Sequence, residues 1–552
     1  MKMMKLNHCL MMVGLTVFCA SCSHDTMEYQ TYNVTDQERV DYAEKQLGVK
    51  IDPKQDWVLT RQASVNITAD AEMEDIAQVM ILDRNVYDGV AEILAAGDIA
   101  NGGTAKLSFQ APISQKVLYA ACVTKDNKFL ARPFLADTDT EISFKAMDEA
   151  EEEEASESRA TRGWSDDAIA KDEFKDCRDQ IDLPGLQAEV HAFLPAKTDN
   201  KDKVLALDNH SMKVKTSLWG GFAQISARYI YGNSDSAGTK FGYRHYPGSS
   251  RSSYQTFMVN NPIDPSKGFD YKDPNYKLPF AMLYFKHDDG VVNSRASDGT
   301  VYDFFAMKGN TDLSDDLTRV CIFKVNGHRY MAIESGDDWD FNDMVFYFPS
   351  PTLIDIPDAN VQPAPPVAAV WTYAFEDKDF GDYDMNDCLV RARENPNDDS
   401  KIDITLVAVG AKRNLYLLFA ANNKDVFGKE LHEALGVPAA TLVNTGRGET
   451  VPTVTVTLPK PAGFNFQTNS FRLKVAIDYD PVYGPGFYYY DIAGQGQDPH
   501  GIVIPGNWSW PTETTSIVAA YPMFSKWATD ASDTTAWEWY KHPIADRVFF
   551  VK

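Results

Sequence analysis

The sequence predicts a mainly β protein, built from several β-sandwich or jelly-roll-like domains with a few short helices. Aromatic residues are abundant, with 26 Tyr, 30 Phe and 10 Trp in 552 residues, and such residues favour strands. Apolar and polar residues alternate over many short runs, and Gly, Asn, Asp and Ser separate the runs. The length allows about three or four domains.

The N-terminus has the pattern of a signal peptide. Lys2 and Lys5 precede an apolar stretch that ends at Phe18, and small residues lead to Cys22. This ending resembles the lipobox of bacterial lipoproteins, which implies that residues 1–21 are removed and that Cys22 is acylated. An ordinary cleaved secretion signal is the alternative.

The residues after the cysteine indicate the side of the membrane. Asp25 and Glu28 form a thin acidic tract that resembles the surface-export signal of Bacteroidetes lipoproteins. The resemblance implies a lipid-anchored protein on the outer face of the outer membrane. A lipid-anchored protein that faces the periplasm is the alternative.

Charge and cysteine content limit the function classes. The net charge of −26 argues against nucleic acid and anionic lipid as partners, and it is compatible with divalent cations. Beyond the signal, the cysteines Cys122, Cys177, Cys321 and Cys388 are widely separated and form no zinc motif. We expect these cysteines to be buried free thiols. A disulfide between two of them is the alternative.

The first half of the chain divides at changes of pattern. Residues 22–55 form the anchor segment, in which a Thr35-Asp-Gln-Glu38 capping box predicts a helix over 36–47. From residue 56 to 147 the period becomes two, which predicts a small immunoglobulin-like β-sandwich. Residues 148–166 are dominated by Glu and predict a solvated linker.

The second half contains two further β domains. The first, residues 167–348, begins with a possible helix and ends in an acidic loop. Residues 349–366 are rich in Pro and predict a linker. The last domain spans residues 367–552, and Pro522 argues against one continuous helix around 515–528.

Two acidic stretches, 44 positions apart, repeat each other. Both read Asp-aromatic-Asp-apolar-Asn-Asp, followed at once by an apolar run and preceded by a glutamate. The candidate ligands in the first acidic loop are Glu334, Asp338, Asp340, Asn342 and Asp343. Those in the second acidic loop are Glu376, Asp382, Asp384, Asn386 and Asp387.

Oxygen ligands at alternate positions suit Ca²⁺, and clustered carboxylates repel one another unless a cation or protons relieve them. Neither loop is an EF-hand, because Asp343 and Asp387 stand where Gly is needed, and Pro349 and Arg393 where Glu is needed. The sequence therefore predicts one Ca²⁺ site per loop or one composite site. Asx-turns without an ion are the alternative.

Several stretches carry a resemblance to a family. Four segments resemble parts of the LruC-domain lipoproteins of Bacteroidetes and other Gram-negative bacteria. They are Leu47–Trp57, the loop Gly381–Asp387, Pro505–Pro511 and Phe524–Trp527. The resemblance implies a surface location and a β architecture, and it implies no particular chemistry.

We expect a structural or adhesive role rather than catalysis. The chain has no HExxH, GxSxG or P-loop motif, and Ala-Leu-Gly follows His432-Glu433. A glycosidase with a catalytic carboxylate pair is the third hypothesis, because the separation of two carboxylates is a spatial property that a sequence does not show. The expected partners are extracellular protein, matrix or glycan.

A glycan-binding surface lipoprotein is the second hypothesis. Trp508, Trp510, Trp537 and Trp539 cluster near the C-terminus, where exposed rings would stack on sugars. Core packing is the competing interpretation for tryptophans of a β-sandwich.

Overall fold

The computed structural model describes residues 34–69, 76–100, 102–125, 127–144, 183–215, 222–223, 226–231, 240–246, 255–260, 282–284, 296–308, 311–312, 317–348, 352–477 and 486–551. The predicted signal peptide, Cys22 and the acidic linker 148–166 lie outside the described residues, as does Cys177. The described chain is mainly β with several separate sheets and a few short helices, which confirms the predicted fold class.

The N-terminal sandwich consists of two sheets. Its strands are β1 Thr60–Ala69, β2 Ile76–Leu82, β3 Glu92–Asp98, β4 Thr104–Pro112, β5 Val117–Thr124, β6 Phe129–Leu135 and β7 Glu141–Phe144. One sheet has the order β4-β1-β7, and the other contains β3-β2-β5-β6. Alternate residues of both sheets, such as Val65, Ile67, Val79 and Ile81, form a shared buried core, as the period-two pattern predicts.

The middle domain begins with two helices, α2 Leu183–Phe193 and α3 Lys201–Leu207. Its strands are β8 Ser211–Val214, β9 Phe222–Ala223, β10 Ser226–Tyr231, β11 Lys240–Tyr246, β12 Gln255–Asn260, β13 Met282–Tyr284, β14 Ala296–Ser297, β15 Val301–Lys308, β16 Thr311–Asp312, β17 Val320–Val325, β18 His328–Ile333, β19 Met344–Phe348 and β20 Leu353–Ile354. The two main sheets have the orders β13-β10-β19-β18-β17 and β12-β11-β15-β8-β20. Aromatic side chains fill the core between them.

The C-terminal domain has the strands β21 Val367–Ala368, β22 Trp371–Phe375, β23 Cys388–Asn395, β24 Asp398–Ala408, β25 Leu415–Phe419, β26 Val454–Pro459, β27 Phe471–Ile477, β28 Gly486–Tyr490, β29 Gly501–Pro505, β30 Trp510–Pro511 and β31 Val548–Phe549. Its helices are α4 Leu431–Leu435, α5 Ile517–Ala520 and α6 Phe524–Thr529. The sheet β26-β24-β23-β22-β29 packs on the sheet β25-β27-β28. The predicted interruption at Pro522 is confirmed, since the chain leaves the helix between α5 and α6.

The N-terminal helix α1, Asp36–Leu47, forms with the predicted capping box between Thr35 and Glu38 and ends at Gly48 in the left-handed conformation. The helix packs on the C-terminal domain. Ala43, Leu47 and the following Trp57 are buried in one cluster with the C-terminal helices. The Trp57 ring stacks on Phe524 at 5.9 Å.

Burial in this cluster answers the question about the C-terminal tryptophans. Trp508, Trp510 and Trp539 are at most 2% exposed, and Trp537 is partly buried against the same cluster. Rings that are enclosed on both faces cannot stack on a sugar. These residues therefore pack the core, and the expectation of a sugar platform at Trp508, Trp510 and Trp539 is corrected.

The Pro-rich stretch and the two residues directly after it pair with two different domains. β20 pairs with β8 of the middle domain, and β21 pairs in parallel with β3 of the N-terminal sandwich.

Cys122, Cys321 and Cys388 are buried free thiols, as expected, and Cys388 packs in the C-terminal core. Among the described residues, no helix is long and apolar enough to cross a bilayer.

Candidate metal centres

Each acidic loop is the connection of a β-hairpin at the centre of a five-stranded sheet. The first acidic loop joins β18 to β19, where Ile333 pairs with Met344. The second joins β22 to β23, where Phe375 pairs with Cys388. The position of the hairpin within its sheet is the same in both cases. One further strand, β17 or β29, lies beside the first strand of the hairpin, and two further strands lie beside its second strand. The sequence repeat is thus a structural repeat.

The two loops share an unusual backbone. Trp339 and Phe341 in the first loop have φ of 56° and 58°, and Tyr383 and Met385 in the second have φ of 53° and 58°. Left-handed conformations are unfavourable for bulky residues, so the surrounding contacts must hold them. These residues alternate with the aspartates of the repeat, which places Asp338 with Asp340, and Asp382 with Asp384, in one cluster in each loop.

The glutamate before each loop holds this backbone. In the first loop Glu334 accepts hydrogen bonds from the backbone N–H of Gly336 at 2.5 Å and of Phe341 at 3.1 Å. Glu376 accepts from the backbone N–H of Tyr383 at 3.2 Å and of Met385 at 2.7 Å, and Met385 is the counterpart of Phe341 in the repeat. Both glutamates are fully buried. They therefore act as the inner support of each loop.

A glycine packs against each glutamate. A Cβ atom at Gly336 would lie 3.0 Å from Oε1 of Glu334, and one at Gly381 would lie 2.1 Å from Oε2 of Glu376. Only glycine leaves room for the carboxylate at the second position. Sequence reasoning missed these two glycines, although a glycine occurs between the glutamate and the first aspartate of each loop.

The last aspartate of each repeat closes the loop. Asp343 Oδ2 accepts from the backbone N–H of Ser335 at 2.5 Å, and Asp387 Oδ2 accepts from that of Asp377 at 2.8 Å. Ser335 and Asp377 both directly follow the supporting glutamates. Asp343 and Asp387 were expected as ligands, but the structure gives one oxygen of each to this bond.

A second segment of chain holds each loop from outside by the same pair of bonds. The N–H of Lys197 donates to Asp340 Oδ2 at 3.2 Å, and that of Asn200 donates to the carbonyl of Trp339 at 2.9 Å. In the second loop, Thr514 donates to Asp384 Oδ2 at 2.7 Å and Ile517 to the carbonyl of Tyr383 at 2.7 Å.

The two outer segments also share their local geometry. Lys197 and Thr514 have φ of 58° and 65°, and each lies three residues before the second donor. One segment precedes its loop along the chain and the other follows its loop, and their sequences share no motif. Nothing in the sequence could have identified them.

Six of the ten predicted ligands form two separate clusters. Glu334, Asp338 and Asp340 have carboxylate oxygens within 4.8 Å of one another, and so do Glu376, Asp382 and Asp384. In each cluster the glutamate and the second aspartate are buried, whereas Asp338 is exposed and Asp382 is partly exposed. Each cluster thus has a buried inner side and an accessible outer side.

The asparagines of the repeat use their side-chain N–H groups in hydrogen bonds within the protein. Asn386 is fully buried, donates to the carbonyl of Pro511 at 3.2 Å and lies against Gly410. Asn342 donates its side-chain N–H to Asp340. Both were predicted as ligands. Asn342 contacts the first cluster through Asp340, whereas the side-chain N–H of Asn386 bonds to Pro511, outside the second cluster.

Burial and mutual repulsion raise the pKa values of these carboxyl groups. Burial raises the pKa of Glu334 to about 7, and the charges of Asp343 and Asp338 add to this effect. In the second loop, burial and then the charge of Asp382 hold the pKa values of Glu376 and Asp384 well above their usual range. The raised pKa values show that the charged carboxylates are unfavourable in these positions. A bound cation would stabilise the charged forms and lower the pKa values.

The second loop also contacts the N-terminal helix. Arg39 of α1 donates to Asp379 at 3.1 Å, and the Tyr42 ring meets Phe380 edge to face at 5.0 Å. The Tyr383 hydroxyl donates to the buried Asp498 at 2.9 Å. The segment nearest the predicted lipid anchor therefore rests directly on an acidic loop.

Part of the C-terminal domain matches a known family. Residues 467–540 match the model of the family described as Domain of unknown function (DUF4842). The matched segment runs from before β27 to Tyr540, and so contains β29, which pairs with β22 at the entrance of the second loop, and Thr514, which holds Asp384. No curated protein and no solved structure matches the chain.

Proposed function

We propose that the protein is a lipid-anchored surface protein of the outer membrane with a structural or adhesive, non-catalytic role, in which each acidic loop binds one Ca²⁺ ion. The observation that carries the ion proposal is that both loops contain a cluster of three carboxylates. In each cluster one of the three belongs to a buried glutamate on the inner side. The lipobox-like Cys22 and the resemblance to LruC-domain lipoproteins support the location.

Oxygen-only ligands favour a hard cation over zinc or copper. Ca²⁺ accepts six to eight oxygens in irregular geometry, which suits three carboxylates that can bind through one or two oxygens each. The exposed Asp338 and the partly exposed Asp382 leave an outer side on which water completes the coordination. The two loops are built alike, so we expect similar ions at both.

The ion would act as a cross-link. In the second loop Asp384 is bound to Thr514 and Asp379 to Arg39, so an ion there fixes the hairpin, the C-terminal segment and the N-terminal helix together. A protein that meets mechanical load between a lipid anchor and an external partner gains from such a cross-link. This connection supports a structural or adhesive role.

Thermal unfolding of the mature chain from Ser23, in Ca²⁺ and in chelator, tests the proposal. Ca²⁺ at 100 times its dissociation constant should stabilise the fold by about 2.7 kcal/mol per site. Asp382→Asn should raise the melting temperature in chelator, because it relieves repulsion on Glu376, and should reduce the gain from Ca²⁺.

Asp399→Asn is the matched control, because this exposed aspartate lies in β24 away from both loops. It should change neither the melting temperature in chelator nor the gain from Ca²⁺. Equal melting temperatures in millimolar Ca²⁺ and in chelator would overturn the ion proposal and leave the loops as Asx-turns.

A further inference from the structure

The solvent side of the sheet β25-β27-β28 carries three aromatic rings and two cations. Tyr416, Lys474 and Tyr489 are aligned across the three strands, and Arg472 and Phe487 lie on the same side at alternate positions. We call these five residues the outer aromatic face. The opposite side of this sheet, with Leu417, Phe471, Leu473 and Val475, is buried in the core.

The outer aromatic face is held in a defined arrangement. The Lys474 ammonium lies 3.7 Å from the centre of the Phe487 ring and 5.2 Å from that of Tyr416. The Arg472 guanidinium lies 5.8 Å from the centre of the Tyr489 ring and forms two 2.7 Å bonds to Asp491. Cation–π contacts and the bidentate pair limit the motion of these side chains, which lowers the entropy cost of binding a ligand.

Two of the three rings are nevertheless open to solvent, and Tyr416 is half-buried. Phe487 is 45% exposed and Tyr489 is 50% exposed. Within the described residues, Phe550 is the other large aromatic of comparable exposure, and it lies elsewhere, against Arg391. Adjacent exposed aromatic rings on one sheet face are typical of a contact surface.

Charge indicates what this surface contacts. The net charge of −26 disfavours polyanions over the surface as a whole, but Arg472 and Lys474 lie beside one another on this face. Arg472 is paired with Asp491, whereas no ion pair among the described residues involves Lys474. An anionic group would complement the Lys474 ammonium.

We propose that the outer aromatic face binds an anionic polysaccharide. A sugar ring presents C–H groups on its face and polar groups at its rim. It can therefore stack on Tyr489 or Phe487 while a carboxylate or sulfate reaches Lys474. This site is independent of the acidic loops, so binding does not require Ca²⁺.

Affinity electrophoresis of the mature chain through gels with dextran, carboxymethyl dextran or dextran sulfate tests the proposal. These polymers share one backbone and differ in charge. We expect at least one of the charged polymers to retard the chain, and chelator should not change the retardation. The polymer that retards it identifies carboxylate or sulfate as the recognised group. The double variant Phe487→Ala with Tyr489→Ala should bind that polymer at least about fivefold more weakly.

Lys474→Met keeps the side-chain stem on the rings and removes the charge. It should weaken binding by about two- to fivefold, the range of one exposed charge contact. Phe550→Ala is the matched control for loss of an exposed ring and should change nothing. Equal retardation by neutral dextran, retention of binding in the double variant, or binding of polyglutamate in place of both charged dextrans would overturn the proposal.

Discussion

Gly381 lies directly against the carboxylate of Glu376, so that a single methyl group at Gly381 would fall 2.1 Å from Oε2. Glu376 is buried and accepts the backbone N–H groups of Tyr383 and Met385, two residues in the left-handed conformation. The contact therefore transmits any change at the glycine to the backbone of the second acidic loop.

Gly381→Ala should destabilise the C-terminal domain by about 1–3 kcal/mol, the usual cost of overpacking. Either the carboxylate or the loop must move to admit the methyl group. Urea unfolding measures the loss. Gly494→Ala is the control, because its added methyl group would lie 3.8 Å from the nearest atom. Equal stability of the two variants would contradict the assigned role of Glu376.

The pKa of Glu334 predicts the pH dependence of the ion-free protein. Burial raises this pKa from 4.5 to about 7, so the folded state favours the protonated form. The stability from this group is present below the unfolded pKa and is lost as pH rises through about 7. Unfolding in Ca²⁺-free buffer between pH 5 and 8 should show a decline in stability. Glu334→Gln should make the decline smaller, and the remainder comes from other carboxyl groups with raised pKa values, such as Glu376 and Asp384.

Ca²⁺ should reverse that trend, because the ion binds the deprotonated carboxylate. The gain in melting temperature from Ca²⁺ should therefore increase from pH 5 to pH 8. A gain that is independent of pH would show that Glu334 does not bind the ion.

Thr514 links the C-terminal segment to the second loop through its backbone N–H. Thr514→Pro removes this donor and cannot adopt φ of 65°, so it should weaken Ca²⁺ binding at that loop. Thr514→Gly keeps the donor and suits the left-handed backbone, so Ca²⁺ binding should persist. Calorimetric titration of both variants distinguishes them, and equal affinities would contradict the role of this bond.

The N-terminal segment is part of the C-terminal core. Trp57 is 1% exposed, donates to the carbonyl of Gln497 at 2.9 Å and contacts Phe524 and Trp527. Trp57→Ala should cost about 3–5 kcal/mol in the unfolding of this domain. Val90→Ala, at a side chain that is 52% exposed, should stay within about 0.5 kcal/mol. A small effect of Trp57→Ala would show that the segment is dispensable.

Local signals in the sequence predicted local structure well. The capping box at Thr35 and Glu38 predicted helix α1 with its observed bounds, because the cap depends on neighbouring residues alone. The period-two pattern that begins at residue 56 predicted strands of the N-terminal sandwich such as β1 for the same reason. The repeated acidic pattern predicted two equivalent loops, and the structure gives both the same backbone.

Long-range contacts were not predictable from the same patterns. The packing of Trp57 on Phe524 joins residues that are far apart in sequence, and no periodicity encodes it. Within the repeat, spacing could not distinguish Asp340 and Asp384 from Asp343 and Asp387, which instead bond to the start of the loop. Burial of the C-terminal tryptophans depended on helix α1 and the segment after it, which a composition count does not reveal.

Calorimetric titration of the mature chain with Ca²⁺ tests the central claim most directly, because it counts the ions. The account predicts two bound ions, with one lost in Asp338→Asn and one in Asp382→Asn, whereas Asp337→Asn, outside the cluster, retains both. No binding at millimolar Ca²⁺, or a stoichiometry that neither cluster variant changes, would contradict it.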